Sequence, residues 1–328
     1  MISLKVCENR EEWDDYVLEN DGHPLQLWGW GETKASHGWR AERIFAYDLD
    51  ERVVGAAQVL VRRLPWPFKS LAYIPRGPVG DADYAPNVLE ALSNYSRSQY
   101  GAVALTIEPD WTEVPHLMPQ GWKQGMNTIL IPQTLILDLN KSEDELQGPM
   151  SKKTRQYIRK SSSEDAVEIR QVKSREELEK CLAVYRETAK RAGFALHDDQ
   201  YYYDVFDNLG EASPVFAAYK DGWPIAFLWL AISASTAFEL YGGMNNDGQE
   251  LRANYALKWH AITKMKEWGI GRYDMNGLVS DGVSNFKRGF ADHEDTLVGT
   301  LDKPLSPFYV VWAVMLPLAK KVVRAIKR

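Results

Sequence analysis

One order of patterns runs twice along these 328 residues. A strand-like run, one or two helices, an antiparallel meander, a helix and a further strand are followed by the same order again. In the first half, ISLKVC reads as a strand. Arg10 to Glu19 reads as a helix with Trp13, Tyr16 and Val17 in its apolar stripe. LQLWGWGETKASHGW leads into a helical turn that carries Lys34 and stops at Gly38. Two antiparallel strands turn at Asp48 to Arg52. A strand over Lys69 to Ile74 ends in YIPRGPVGD, whose prolines and glycine hold Arg76 on a rigid turn. A helix over Ala85 to Tyr100 and the apolar strand AVALTIEP, ending at Glu108, complete the order. GWKQGMNTILIPQTLILDL then reads as two strand-like runs closing this half.

Ser142 to Ser161 opens the second half with two short helices broken near Gly148-Pro149. VEIRQV, SREELEKCLAVYRETAKRAG, QYYYDVFDNLG, three meander strands, a helix from Leu251 to Trp268 and RYDMNGL repeat the first plan. The meander ends at Gly242-Gly243, an echo of Gly77. The fold class is mixed α/β (α+β), in two similar halves.

Composition narrows the function. Hydrophobic residues at 45% and charged residues at 26% describe a soluble globular chain. A net charge of −6 argues against wholesale electrostatic binding of nucleic acid, and DNA is not an expected partner. It leaves room for a local basic patch. Lys152, Lys153, Arg155, Arg159 and Lys160 form one on a single predicted helix, readable as a phosphate-binding surface or as a solvated face. Cys7 and Cys181 are far apart and fit a reducing compartment. The charged start MISLKVCENREEW carries no secretory pattern, so the cytoplasm is expected. His37, His116, His197 and His293 show no metal-ligand spacing, and no metal is expected.

Three places invite chemistry. DGVSNFKRGF, residues 281–290, reads as a shaped loop between strands, with Phe286 and Lys287 flanked by Gly282 and Gly289. A lysine so placed can offer a fixed charge to an oxyanion or phosphate, or be a plain surface lysine. Glu108 ends a buried strand, as a site carboxylate or a cap. Phe308 to Leu318 is apolar and is followed by Lys320, Lys321, Arg324, Lys327 and Arg328. That run falls short of the ~20 residues needed to span a bilayer. It reads as a core helix or a membrane-surface helix.

LQLWGWGETKASHGW, GAAQVLVRRLP, LAYIPRGPVGD, LTIEPDW, MSKKTRQYIRK and NFKRGF followed by PLSPFY occur in that order. Together they resemble the Fem peptidyltransferases, which add amino acids from aminoacyl-tRNA to peptidoglycan precursors. Residues 161–186 leave no room for the helical arm of many members, so the resemblance is to the shorter, FemX-like type. It implies two tandem acetyltransferase-like (GNAT) domains packed side by side, with mixed sheets. The first spans 1–141 plus 301–328 and the second 142–300.

The resemblance also implies roles. Lys34 meets the nucleotide diphosphate of the precursor, and Tyr241 and Tyr201 line the same pocket. Arg76 and Tyr73, in LAYIPRGPVGD, are placed with them among the substrate contacts. Glu108, Phe286 and Lys287 stand near acyl transfer. The cation density of Lys152, Lys153, Arg155 and Arg159, rather than the resemblance, makes them the expected tRNA contacts. The substrates are aminoacyl-tRNA and a peptidoglycan precursor, lipid-linked or nucleotide-linked, and no separate cofactor is needed because the ester is already activated. Lys287 would stabilise the developing oxyanion, and Glu108 or the substrate would take the amine proton. Weak peripheral contact with the inner membrane surface follows from the basic tail. A CoA-dependent N-acetyltransferase is the rival enzyme. It is disfavoured because QELRANYALKW lacks the glycines of a pyrophosphate turn. An RNA-binding or membrane-surface adaptor leaves the ordered motifs unexplained.

Overall fold

The computed structural model of the chain describes residues 2–114, 118, 120–162, 167–278 and 281–326, without the side chains of Asp281 and 318–326. His116 and the side chains of the basic tail, from Lys320 to Arg328, therefore lie outside the described residues.

The chain divides into two compact units, 1–132 with 296–328, and 133–295. In chain order the first unit contributes β1 (Ser3–Cys7), α1 (Arg10–Glu19), α2 (Trp28–Ser36), β2 (Arg40–Tyr47), β3 (Val53–Arg63) and β4 (Ser70–Pro75). Next come β5 (Val79–Gly80), α3 (Ala85–Tyr100), β6 (Ala102–Glu108) and β7 (Lys123–Gln124). The second unit runs through β8 (Gln133–Thr134), β9 (Ile136–Asp138), α4 (Glu143–Gln147), α5 (Lys152–Ser161), β10 (Glu168–Val172), α6 (Arg175–Ala192) and α7 (Asp199–Leu209). It continues with β11 (Val215–Lys220), β12 (Trp223–Ile232), β13 (Thr236–Met244), α8 (Asn246–Leu251), α9 (Ala253–Glu267), β14 (Arg272–Asp274) and α10 (Asp281–Arg288). After β15 (Asp295–Thr296), β16 (Leu301–Pro304) and α11 (Tyr309–Ile326) belong to the first unit.

The two sheets follow one plan. In the first unit the order is β1-β2-β3-β4-β6-β16-β7, and in the second β10-β11-β12-β13-β14-β9. Each begins with a four-strand antiparallel meander. Each then makes one parallel pairing, β4 with β6 and β13 with β14. The parallel crossovers carry α3 and α9, as a parallel step requires. An antiparallel strand from outside the run completes each, β16 beside β6 and β9 beside β14.

That last step moves the expected boundaries. Residues 136–138 are a strand of the second sheet, so the first unit ends before 141. Residues 296–300 lie with the first unit rather than the second. The stretch TLVGTL, residues 296–301, holds the end of β15 and the start of β16, with Gly299 at φ +76 between them. GWKQGMNTILIPQTLILDL gives only the short β7, β8 and β9, with Met126 and Ile129 exposed.

The long elements form where the sequence carries their signals. Asn9 caps α1 through Glu11 N and Glu12 N, and Ser174 caps α6. Gly101 and Gly193 end α3 and α6 in the left-handed conformation. Val88, Leu89 and Leu92 of α3 pack against β3, β4 and β6 in the first core. Leu257, Ala261 and Met265 of α9 pack against β11 and β12 in the second.

Candidate functional site

Residues 281–288 form a helix, not the loop expected from the two glycines. A Cβ at Gly282 would meet open space. Gly289 is different, because a Cβ there would collide with Thr154 Oγ1 of α5. The glycine thus permits close approach of two helix ends. Ser151 N, at the start of α5, donates to Gly289 O at 3.0 Å.

Docked in this way, α10 turns Lys287 inward. Its Nζ donates to the backbone oxygens of Met275 at 2.6 Å, Asn276 at 3.1 Å and Gly277 at 3.1 Å. Those residues follow β14, and Asn276 adopts φ +59, which turns successive carbonyls toward one point. An ammonium has three protons, and all three are used. Burial pushes the Lys287 pKa down to about 8, opposed by Glu239 and Asp274 and assisted by Lys258. Phe286 faces the neighbouring aromatic cluster, with its ring 4.9 Å from Tyr255 and 5.3 Å from Phe290.

Beneath Lys287 lies a buried polar group that the sequence reading missed. Lys258 of α9 donates to Glu239 Oε1, and Tyr273 OH donates to the same oxygen at 2.8 Å. Asn276 Nδ2 donates to Glu239 O at 2.9 Å. Asp274 accepts from Thr134 Oγ1 and from Asn276 N. The available signal was a charge set inside an apolar run, as in AFEL and ALKW, the same signal that singled out Glu108.

The aromatic pair expected in the precursor pocket comes together elsewhere in the second unit. Tyr241 OH donates to Tyr201 OH at 3.4 Å, and His197 stacks on Tyr201 with centroids 3.9 Å apart. Trp229 pairs with Tyr241 and Leu230 with Glu239, so Leu240 is an extra residue in β13. This bulge changes the phase of the strand. Glu239 then faces α9 while Tyr241 faces Tyr185 of α6 and Tyr202 of α7. The Tyr201–Tyr241 pair and Lys287 therefore belong to opposite faces of this sheet.

The basic helix α5 divides its charges. Arg155 Nη1 donates to the carbonyls of Gln147, Gly148 and Met150. Those bonds tie Nη1 of the half-buried Arg155 to the residues that end and follow α4. Lys152, Lys153, Arg159 and Lys160 are exposed. Lys152 and Lys153 occupy the first turn of the helix, where the macrodipole disfavours cations.

In the first unit, Glu108 is fully buried and its carboxylate is occupied. It accepts from Tyr73 OH at 2.6 Å, Thr300 Oγ1 at 2.7 Å, Ile129 N at 2.7 Å and Leu130 N at 2.8 Å. Four donors fill the carboxylate's capacity, so the expected proton acceptor is instead an anchor for the 129–130 segment. Burial and the adjacent carboxylate hold the Tyr73 phenol well above its ordinary range. Arg76 is buried at φ +54, and its N donates to Glu108 O at 2.8 Å.

Lys34 is half-buried on α2, with its Nζ 4.3 Å above the Trp30 ring. The helix beneath it is fixed by a buried polar network. Gln58 Nε2 donates to Leu25 O and Leu27 O, and Gln58 N donates to Gln26 Oε1. Arg43 donates to Gln58, Trp28 O and Glu32. A Cβ on Gly31 would strike Gln58, so α2 lies directly on β3. Among the described residues, no group of three His, Cys, Asp or Glu side chains could hold a metal ion.

Two units, each a meander followed by one parallel crossover, define a tandem acetyltransferase-like protein. The structure titled "Crystal structure of FemX" matches 95% of this chain and 100% of its own, with TM-score 0.83 and 21% identity. A tandem GNAT protein from the clavulanic acid biosynthesis pathway matches 94% of this chain and 99% of its own, with TM-score 0.55 and 10% identity. In sequence, lipid II:glycine glycyltransferase of Staphylococcus aureus (strain MRSA252) is 29% identical over 227 residues, 63% of this chain and 52% of that protein. The chain thus spans about half the length of the curated relatives it matches. The FemAB family model matches residues 9–120, 116–222 and 207–316, and the chain belongs to the FemAB family.

Proposed function

We propose that this chain is an aminoacyltransferase that moves an amino acid from aminoacyl-tRNA to the stem-peptide amine of a peptidoglycan precursor, building the interpeptide bridge. The observation that carries this reading is the 227-residue similarity to a lipid II:glycine glycyltransferase within the FemAB family. The neutral amine attacks the ester carbonyl, the C–N bond forms, the C–O bond to ribose breaks, and the amine proton ends on the ribose oxygen. The charge that develops on the carbonyl oxygen needs a fixed positive field. One preorganised donor contributes about 3 kcal/mol in a dry site.

Lys287 supports this role through its charge rather than a spare proton, because its three protons are committed to residues 275–277. The same bonds make it the clamp on the turn after β14. Lys34, Tyr73, Arg76, Tyr201 and Tyr241 are the proposed precursor contacts. Lys152, Lys153 and Arg159 are the proposed phosphate contacts for tRNA.

Purified protein incubated with a mixed charged-tRNA pool, and with lipid-linked and nucleotide-linked precursors, should add one aminoacyl mass to one of them. Product that persists with deacylated tRNA, or an acetyl mass gained from acetyl-CoA instead, would overturn the reading. Replacing Lys152, Lys153 and Arg159 with Ala should raise the KM for tRNA and flatten its salt dependence, since fewer counterions are released.

A further inference from the structure

From its sequence the last helix reads as a core helix or a membrane-surface helix, with the basic tail as the membrane contact. The apolar run itself has two sides. Tyr309, Trp312 and Ala313 are buried in a small cluster with Leu71, Val103 and Ala104. The other side of the same turns is apolar and open: Val310 is 61% exposed, Val311 50%, Val314 51% and Met315 51%. Positions 310 and 314, and 311 and 315, lie one turn apart, so the four form a stripe. No charged residue occurs between Tyr309 and Ala319, and then Lys320, Lys321 and Arg324 follow in the sequence.

A second observation borders the same cluster. Leu64 and Phe68, from the loop between β3 and β4, pack against it together with Leu316 of α11. Between them Trp66 stands 91% exposed, the most exposed large apolar side chain described. Arg62, Arg63 and Lys69, which flank this loop, are exposed as well. An open tryptophan flanked by exposed cations, and a bare aliphatic stripe followed in the sequence by cations, around one core, is the composition of a surface that rests at a lipid headgroup boundary.

We infer that Trp66 and the outer face of α11 form a docking surface for an anionic lipid bilayer. The cations supply attraction to anionic headgroups, and the apolar groups enter the boundary. The chain as a whole carries a net charge of −6, so the rest of its surface is repelled and this patch sets the orientation. No helix among the described residues is long and apolar enough to cross a membrane, so the contact is peripheral. The inference rests on the proposed function for its purpose, access to a lipid-linked acceptor, but not for its physics.

Flotation of the full chain with vesicles of phosphatidylcholine, alone or mixed with phosphatidylglycerol, tests it. The chain should float with the anionic vesicles and less so at high salt. Trp66→Ser and Val314→Glu should each lower binding by about tenfold while leaving thermal unfolding unchanged, because both side chains are exposed. Absence of flotation, or variants that bind like the parent, would reject the inference. So would a dimer in sedimentation velocity that Val314→Glu dissolves, which would make a second copy the occupant. Transfer measured without a bilayer, to the nucleotide-linked acceptor and to the lipid-linked acceptor in detergent, separates the two readings. A chain that floats but transfers nothing sinks the proposed function alone, and one that transfers but never floats sinks the lipid surface alone.

Discussion

At Lys287 burial and charge oppose each other. The ammonium gains three carbonyl acceptors and loses water, and the loss dominates, lowering its pKa from the ordinary 10.5 to about 8. The sign of the pH effect follows. Between these values the unfolded chain holds a proton that the folded chain has released, so stability rises with pH across that window. Below about pH 8 the full cost of burying the charge is present. Lys287→Met should remove this slope, which amounts to at most about 3 kcal/mol. Urea unfolding of both proteins at about pH 7 and about pH 10 measures it. Transfer should respond in the opposite direction. If the cation serves the transition state, the advantage of the parent over Lys287→Met should shrink as pH passes through about 8, with little change in precursor affinity. A constant ratio of the two rates across that range would leave Lys287 as a clamp only.

At the scale of elements, legibility followed local chemistry. Helices α1, α3, α6 and α9 are long and amphipathic or apolar, and several carry caps written in neighbouring residues. The residues that act at a distance were harder to read. Glycines at 282 and 289 looked alike in sequence, yet only the second has a neighbour that requires it. That neighbour, Thr154, is remote in sequence, so no local pattern could have marked α10 as a helix docked on α5. The bonds of Arg155 were hidden for the same reason, since the carbonyls it satisfies are visible only once α4 and α5 fold together. Glu108 was legible as a charge at the end of an apolar strand, whereas Thr300, one of its donors, lies 192 residues away. A paired substitution tests the docking. Gly289→Ala should destabilise the protein by about 1–3 kcal/mol through overpacking against Thr154 and should slow transfer. Gly282→Ala, in open space, should change stability by less than about 1 kcal/mol. Equal effects of the two in thermal unfolding would remove the special role of the α5–α10 contact.

At the scale of the whole molecule, the repeat was legible because each half writes its meander and crossover in order, but the strand that completes each sheet comes from outside that order. The second unit draws β9 from just before its own meander and remains one continuous stretch, 133–295. The first unit draws β16 and α11 from beyond residue 295, so its own 1–132 segment is incomplete. Without them, β6 loses its β16 partner, Glu108 loses Thr300 as a donor, and Leu301, Tyr309 and Trp312 no longer cover the core. Burial of three such side chains is worth roughly 5–9 kcal/mol. A domain is stable by only about 5–15 kcal/mol in all. The 1–132 polypeptide should therefore fail to fold alone, while 133–295 should unfold cooperatively in urea. Joining 296–328 to residue 132 through a flexible linker should restore a cooperative transition to the first unit. Circular dichroism of the three polypeptides in urea decides the matter: a cooperative transition for 1–132 alone, as stable as that of the linked form, would show that the returning strand and helix are not part of what holds this unit together.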